Sequence, residues 1–191
     1  MHLTIRFAGY GGYGVVTASR ILGLAFTQKG FHVLQTESHG AAARGGACTA
    51  DLTISSSPIN ELQFEKPNAL IVLSTPAFRK CCSITPDLSS ELLIIETEIL
   101  NDPIVQMGIA ELAQENGTRI YHARIRNLAD TLGHVRYMGI ASLGALAAID
   151  DRIDVKLIEK TIALDKKLRR FETQNLQALH EGAKAVAVHK A

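Results

Sequence analysis

The sequence predicts an α/β protein, a Rossmann-like and mostly parallel sheet flanked by helices, with a helical C-terminal region. Three observations carry this expectation. An apolar run, Leu3 to Ala8, enters Gly9-Tyr10-Gly11-Gly12-Tyr13-Gly14, a helical pattern from Val15 to Lys29 leaves it, and a second strand-like run, Phe31 to Thr36, follows. Ala69-Leu70-Ile71-Val72-Leu73 and Leu92-Leu93-Ile94-Ile95-Glu96 are short continuous apolar runs, the pattern of parallel strands buried on both faces. From Met138 onward the periodicity is helical almost throughout.

Each element has its own signal. In the first helix Val15, Ser19, Leu22 and Phe26 share a face, and Gly30 is a natural stop. Ser38 to Gly46 is small and glycine-rich, and Ala47 to Ser55 behind it alternates as a strand does. Ser74-Thr75-Pro76 opens a helix with a hydroxyl cap and an early proline. Asp102-Pro103 opens another, continued by Val105, Ile109 and Leu112 and ended by Gly117. Ile120 to Ala123 is the next strand, and Asn127 to Leu132 a short helical segment. Met138 to Ile149 is a helix of small and apolar residues, whose backbone can approach a neighbour closely, either its own sheet or a second subunit. Leu157, Leu164, Leu168 and Phe171 form one stripe, and Leu176, Leu179, Ala183 and Val186 mark a last amphipathic helix. No repeat or linker divides the chain, which reads as a single domain spanning residues 1–191.

Composition excludes several function classes. Hydrophobic residues make up 47% and charged residues 20%, a globular balance. The net charge of +1 supplies no pull towards nucleic acid, and 5% aromatics with no Trp gives no base-stacking surface. The apolar runs fall well short of the ~20 residues that span a bilayer, so no membrane role is expected. No signal peptide is visible at Met1 to Arg6. Three cysteines, Cys48, Cys81 and Cys82, with no CxxC, fit a reducing cytoplasm and neither a disulfide framework, a zinc site nor an iron–sulfur cluster.

Two glycine stretches carry the candidate chemistry. Gly9, Gly11 and Gly14 satisfy G-x-G-x-x-G after a strand and before a helix, and Glu37 ends the second strand where a dinucleotide fold holds ribose hydroxyls. Against NAD stand the bulky Tyr10 and Tyr13 and the missing second crossover helix. A turn that serves packing, another anion or another protein is the alternative. In the second stretch Arg44 offers a planar fork for phosphate or carboxylate, with Gly45 and Gly46 clearing space around it. His39 is an acid–base candidate and equally a turn residue. Cys81-Cys82 is a redox candidate and equally a buried helical pair. The basic face from Lys156 to Arg170 is a solvated surface or a dock for an acidic partner. No catalytic constellation and no metal-ligand set is complete.

Taken together, the stretches resemble the gamma subunit of the 2-oxoacid:ferredoxin oxidoreductases. Gly9 to Ala18 is similar to that family's G-x-G-G-Q-G-V loop, and Ser38 to Gly46 to its S-Y-G-P-E-A-R-G-G loop. Gly139 to Leu146 resembles its N-M-x-x-L-G-A-L helix, and Asn175 to Gly182 its N-x-x-A-x-x-x-G ending. Tyr13 stands where the family has Gln, and Ala41 and Ala42 where it has Pro-Glu. The Thr36-Glu37-Ser38 lead-in and Gly45-Gly46-Ala47-Cys48 most resemble the 2-oxoglutarate type, while the His39-Gly40 pair also resembles the indolepyruvate type. The resemblance implies a chain that is not catalytic alone and binds no cofactor of its own. Its complex would use thiamine diphosphate, Mg²⁺ and iron–sulfur clusters in alpha, beta and possibly ferredoxin-like delta subunits, with coenzyme A taking the acyl group and ferredoxin the electrons. It further implies that Gly9, Gly11, Gly12, Gly14, Arg44, Gly45 and Gly46 meet coenzyme A. A stand-alone NAD-dependent oxidoreductase and a purely structural subunit are the competing expectations.

Overall fold

The structure is a computed structural model, and it describes residues 1–38, 46–84, 90–115 and 117–189. Seven strands form one mixed sheet in the order β2-β3-β1-β4-β5-β6-β7. They are β1 (His2–Tyr10), β2 (His32–Ser38), β3 (Ala47–Ser55), β4 (Ala69–Val72), β5 (Leu92–Glu96), β6 (Arg119–Ala123) and β7 (Val186–Val188). The helices are α1 (Val15–Gln28), α2 (Thr75–Ile84), α3 (Pro103–Glu115), α4 (Ile125–Thr131), α5 (Tyr137–Ala147), α6 (Val155–Leu164) and α7 (Glu172–Lys184).

Strands β1, β4, β5 and β6 pair in parallel, and β2 shares their direction; β3 and β7 oppose them. The α/β architecture with helices on both faces is therefore as the apolar runs imply. The opening is not a simple β–α–β unit, because β3 lies between β1 and β2 and pairs antiparallel with both. β3 can occupy that position because it is buried along most of its length, with Ala50, Leu52 and Ile54 fully covered.

Two cores lie on the two faces. One gathers Leu3, Ile5 and Phe7 of β1 with α1, α5, α6 and α7. The other gathers Leu70, Val72, Leu93 and Ile95 with Phe78 of α2 and Val105 and Ile109 of α3. The predicted caps form: Ser74 Oγ accepts from the Ala77 amide, and Asp102 Oδ1 from the Ile104 amide.

The C-terminal region departs from the sequence reading in two places. The Leu157–Phe171 stripe is not one helix. Asp165 breaks it, with its backbone extended and its carboxylate accepting the Lys167 and Leu168 amides, and Leu164 is left 64% exposed. Val186 ends no helix but starts β7, which pairs with β6.

Within the chain, the small-residue helix α5 does not pack chiefly on the sheet. Its residues 137–146 are buried, and its most extensive helix partner is α7. A Cβ placed on Gly144 would run into the Leu179 carbonyl oxygen, and one on Gly182 into that of Ala141. The two backbones touch because glycine leaves no side chain between them. Gly144→Val should therefore cost about 3 kcal/mol or more of unfolding free energy, at the upper end of overpacking costs. Urea denaturation measures it, and a loss below about 0.5 kcal/mol would show that α5 and α7 separate without penalty.

Candidate functional site

The site is built at the edge of the sheet where β1, β4, β5 and β6 all end. Consecutive use of β1 and β4 on one side and β3 on the other makes a crevice at the point where the chain changes direction across the sheet, the usual ligand position in open α/β folds.

The first glycine stretch turns from β1 into α1. Gly12 and Gly14 hold φ of 96° and 80°, left-handed backbone that favours glycine. The four glycines have different tasks. A Cβ on Gly9 would meet Val15 Cγ1 at 3.0 Å, and one on Gly14 would strike the Arg136 carbonyl oxygen. These two serve packing, and the Gly139 amide donates to Tyr13 O at 2.8 Å to lock the loop onto α5. Among the described residues, nothing lies within 4 Å of a Cβ placed on Gly11 or Gly12.

The second stretch comes to the first. The antiparallel β1–β3 register sets Gly9 opposite Cys48 and Tyr10 opposite Ala47, and the Gly11 amide donates to the Gly46 carbonyl at 3.3 Å. His39, Arg44 and Gly45 lie outside the described residues, so of the second stretch the structure places Gly46 beside Gly11. Lys80 of α2 ties the two stems of this segment together. Its Nζ donates to Ser38 O at 3.1 Å, Ser38 Oγ at 3.0 Å and Ala47 O at 3.5 Å.

Beside the loop opens a cavity of about 210 Å³, lined among others by Tyr10, Tyr13, Ser74, Thr75, Glu98 and Arg126. Tyr10 and Tyr13 meet edge to face at 5.5 Å. Arg126 Nη1 donates to the Tyr13 hydroxyl at 3.1 Å, while its Nε donates to both Asp130 carboxylate oxygens at 3.1 Å. Burial pushes the Tyr13 hydroxyl up, with Arg126 opposing. Glu96 is 2% exposed and accepts the Glu98 amide at 3.2 Å and the Arg126 amide at 2.8 Å. Burial raises the Glu96 carboxyl, and these backbone donors act against it. The wall therefore offers one guanidinium, two phenols, two small hydroxyls and the carboxylates of Glu96 and Glu98. Among the described residues no nucleophile of this wall is hydrogen-bonded to a base, and the cavity's volume lies below the ~300–1,000 Å³ of pockets that enclose a whole ligand. A narrow arm of a larger molecule fits its size.

Sequence reasoning missed Lys80, Ser74, Thr75 and Arg126. Each comes from a strand-end loop or helix far along the chain, and the available signal was only that β4, β5 and β6 must end at the same edge as β1. The dinucleotide constellation does not assemble. With β3 inserted, Glu37 sits on the edge strand, two strand spacings or roughly 10 Å from β1, and accepts from Gln35 Nε2. Cys81 is buried within α2, as the bland reading has it.

Comparison with known proteins decides the family. Residues 4–185 match the family described as pyruvate ferredoxin/flavodoxin oxidoreductase. The chain belongs to it. It is a gamma-type subunit of a 2-oxoacid:ferredoxin oxidoreductase. It is 30% identical over 185 residues to the 2-oxoglutarate synthase subunit KorC of Methanocaldococcus jannaschii, covering 95% of this chain and 92% of that one. It is 26% identical over 162 residues to the pyruvate/ketoisovalerate oxidoreductases common subunit gamma of Pyrococcus furiosus, covering 84% of each. Among solved structures, the 2-oxoglutarate:ferredoxin oxidoreductase from Magnetococcus marinus, with 2-oxoglutarate, coenzyme A and succinyl-CoA bound, matches with a TM-score of 0.78 at 17% identity. That match covers 96% of this chain and 31% of the longer one, and it supports the fold.

Lys80 gives the gamma chain's site a direct test. Lys80→Met should speed amide exchange at Ser38 and Thr49, which flank the glycine stretch, about tenfold. Lys80→Arg should recover most of the protection. Equal exchange in all three proteins would mean that Lys80 does not hold the stems.

Proposed function

We propose that this gamma chain serves a 2-oxoglutarate:ferredoxin oxidoreductase and that its paired glycine stretches form one wall of the coenzyme A site. The observation that carries the reading is the Gly11–Gly46 contact, which joins the two stretches into one surface, with nothing among the described residues within 4 Å of a Cβ placed on Gly11 or Gly12. The Gly11 amide is held by Gly46 O, so what the surface offers the phosphates of coenzyme A is close approach to a backbone with no side chain in front of it at Gly11 and Gly12, with Arg44 two residues before Gly46 in sequence. The 2-oxoglutarate assignment draws support from the similarity to the KorC subunit, and coenzyme A from the ligands of the Magnetococcus marinus enzyme.

In this reading the reaction is CoA-dependent oxidative decarboxylation of the 2-oxoacid to an acyl-CoA, in the cytoplasm. Thiamine diphosphate, Mg²⁺ and iron–sulfur clusters belong to the alpha, beta and possibly delta subunits, and ferredoxin accepts the electrons. Cys48 and Cys81 do not fit a cluster's thiolate set, since they lie in the cores on opposite faces of the sheet. This chain's part is to bind and orient. Gly11, Gly12, Gly45 and Gly46 clear the approach, Arg44 pairs with a phosphate, and the cavity beside Tyr10 and Tyr13 accepts a thin arm of the ligand. Gly9 and Gly14 set the loop rather than touch it.

Purification of the tagged chain from its native cell should bring alpha and beta chains with thiamine diphosphate and iron. That complex should reduce a viologen dye with 2-oxoglutarate and coenzyme A, whereas a stable, active monomer would sink the assignment. In the complex, Arg44→Ala should raise the apparent KM for coenzyme A about tenfold, the loss of one charge-assisted pair. Unchanged KM and unchanged assembly would remove Arg44 from the site. Fluorescence titration of the isolated chain with NADH should show no saturable binding; saturation would revive the dinucleotide alternative. A structural-subunit reading has Gly9 and Gly14 in its favour, and it requires that coenzyme A leave amide exchange at Gly11 and Gly12 unchanged.

A further inference from the structure

A second polar cluster lies at the far end of the sheet, away from the glycine loops. The β6–β7 register sets Tyr121 opposite Val188 and His122 opposite Ala187, so His189 falls opposite Ile120. Side chains alternate along a strand, and His122 and His189 therefore stand on the same face. The His189 amide donates to Ile120 O at 2.9 Å and fixes that position. The two rings meet at right angles with centroids 6.0 Å apart. Arg124 is two residues beyond His122, and Thr97, from the end of β5, places its Oγ1 3.3 Å from His122 Nδ1.

The two imidazoles thus share one side of a sheet edge, and Arg124, at the turn into α4, lies near enough for its charge to act on His122. No ion pair to a carboxylate is formed by His122, Arg124 or His189 among the described residues. Glu96, the strand-end acid of β5, alternates to the other face and is committed to the Glu98 and Arg126 amides. Burial first, then the charges of His189 and Arg124, hold the His122 imidazole below its ordinary range. An arrangement that penalises its own protonation is relieved by an anion placed among the three groups.

We propose that Thr97, His122, Arg124 and His189 form a binding site for a phosphate group. Arg124 offers the planar fork, His122 takes up a proton as the anion enters, and the His189 ring N–H and the Thr97 hydroxyl donate further hydrogen bonds. A phosphate with its second pKa near 6 matches histidine titration better than a simple carboxylate does. The phosphate has two possible sources, free inorganic phosphate or the nucleotide end of coenzyme A. The site itself does not rest on the coenzyme A reading. β6 lies three strands from β1, roughly 14 Å at ordinary strand spacing, a span within the length of an extended coenzyme A.

The test is ¹H NMR titration of the histidine ring resonances in the full chain, with inorganic phosphate as the first probe and sodium chloride at equal ionic strength as control. Phosphate should raise the apparent pKa of His122 by about half a unit or more, saturably, at millimolar concentration. Binding should weaken as pH rises through the histidine titration. The response should vanish in Arg124→Ala and fall in Thr97→Val, neither of which removes a core side chain. Coenzyme A acting at lower concentration than phosphate, with dephospho-coenzyme A inactive, would assign the site to the nucleotide end. Equal weak responses to both, no stronger than to inorganic phosphate, would assign it to free phosphate. No difference between phosphate and chloride, or an undiminished shift in Arg124→Ala, would overturn the site.

Discussion

The close approach of α5 to its neighbours is the constraint on which the rest depends. This helix has no polar face, and Gly139, Gly144, Ala141 and Ala145 let backbone rather than side chain meet what surrounds it. On one side it meets α7 at Gly182. On the other it meets the glycine loop, where Gly14 lies under the Arg136 carbonyl and the Gly139 amide takes the Tyr13 carbonyl. Core packing and site geometry are therefore one problem. A side chain added at Gly14 or Gly139 would shift the loop as well as the helix, because no flexible atom lies between the two backbones.

This explains why a dinucleotide-like motif serves something else here. In a nucleotide fold the glycines admit phosphate and close helix packing together. Here the packing task falls to Gly9 and Gly14, and access falls to Gly11 and Gly12. β3 then decides what stands beside the loop. By pairing antiparallel between β1 and β2 it carries Glu37 out of reach of the loop and delivers Gly46 to it. One topological insertion thus separates Glu37 from the first glycine stretch and brings Gly46 of the second stretch beside it.

Much of the fold was legible because its signals are local. The continuous apolar runs at Ala69 to Leu73 and Leu92 to Glu96 gave buried parallel strands, and Asp102-Pro103 gave a helix start. What failed depended on partners distant in sequence. Nothing in Ala47 to Ser55 says whether it pairs beside β1 or outside β2, since both placements bury the same alternating residues. Val186 to Val188 is too short for a strand pattern and becomes β7 only because β6 offers an open edge. The stripe from Leu157 to Phe171 has helical spacing, yet Asp165 finds the Arg20 guanidinium at 2.6 Å and two backbone amides, and these contacts favour a break. The site followed the same division. Its glycines stood out as a local motif, whereas Lys80 and Arg126 reach it from helices that carry no mark of it.

The charges at this edge set what the chain can contribute to a reaction. Glu96 could have been a base, but it caps the Glu98 turn and the start of α4, and a carboxylate held by backbone amides has little freedom to take a proton from a ligand. Arg126 could have been an anion clamp, but its fork is shared between Asp130 and the Tyr13 hydroxyl. Both groups stiffen the crevice instead of reacting in it. A wall whose buried acid and guanidinium are both committed to hydrogen bonds within the chain is suited to placing a ligand rather than exchanging protons with it. A positioning surface of this kind is consistent with the family to which the chain belongs, in which it is a gamma-type subunit of a larger enzyme.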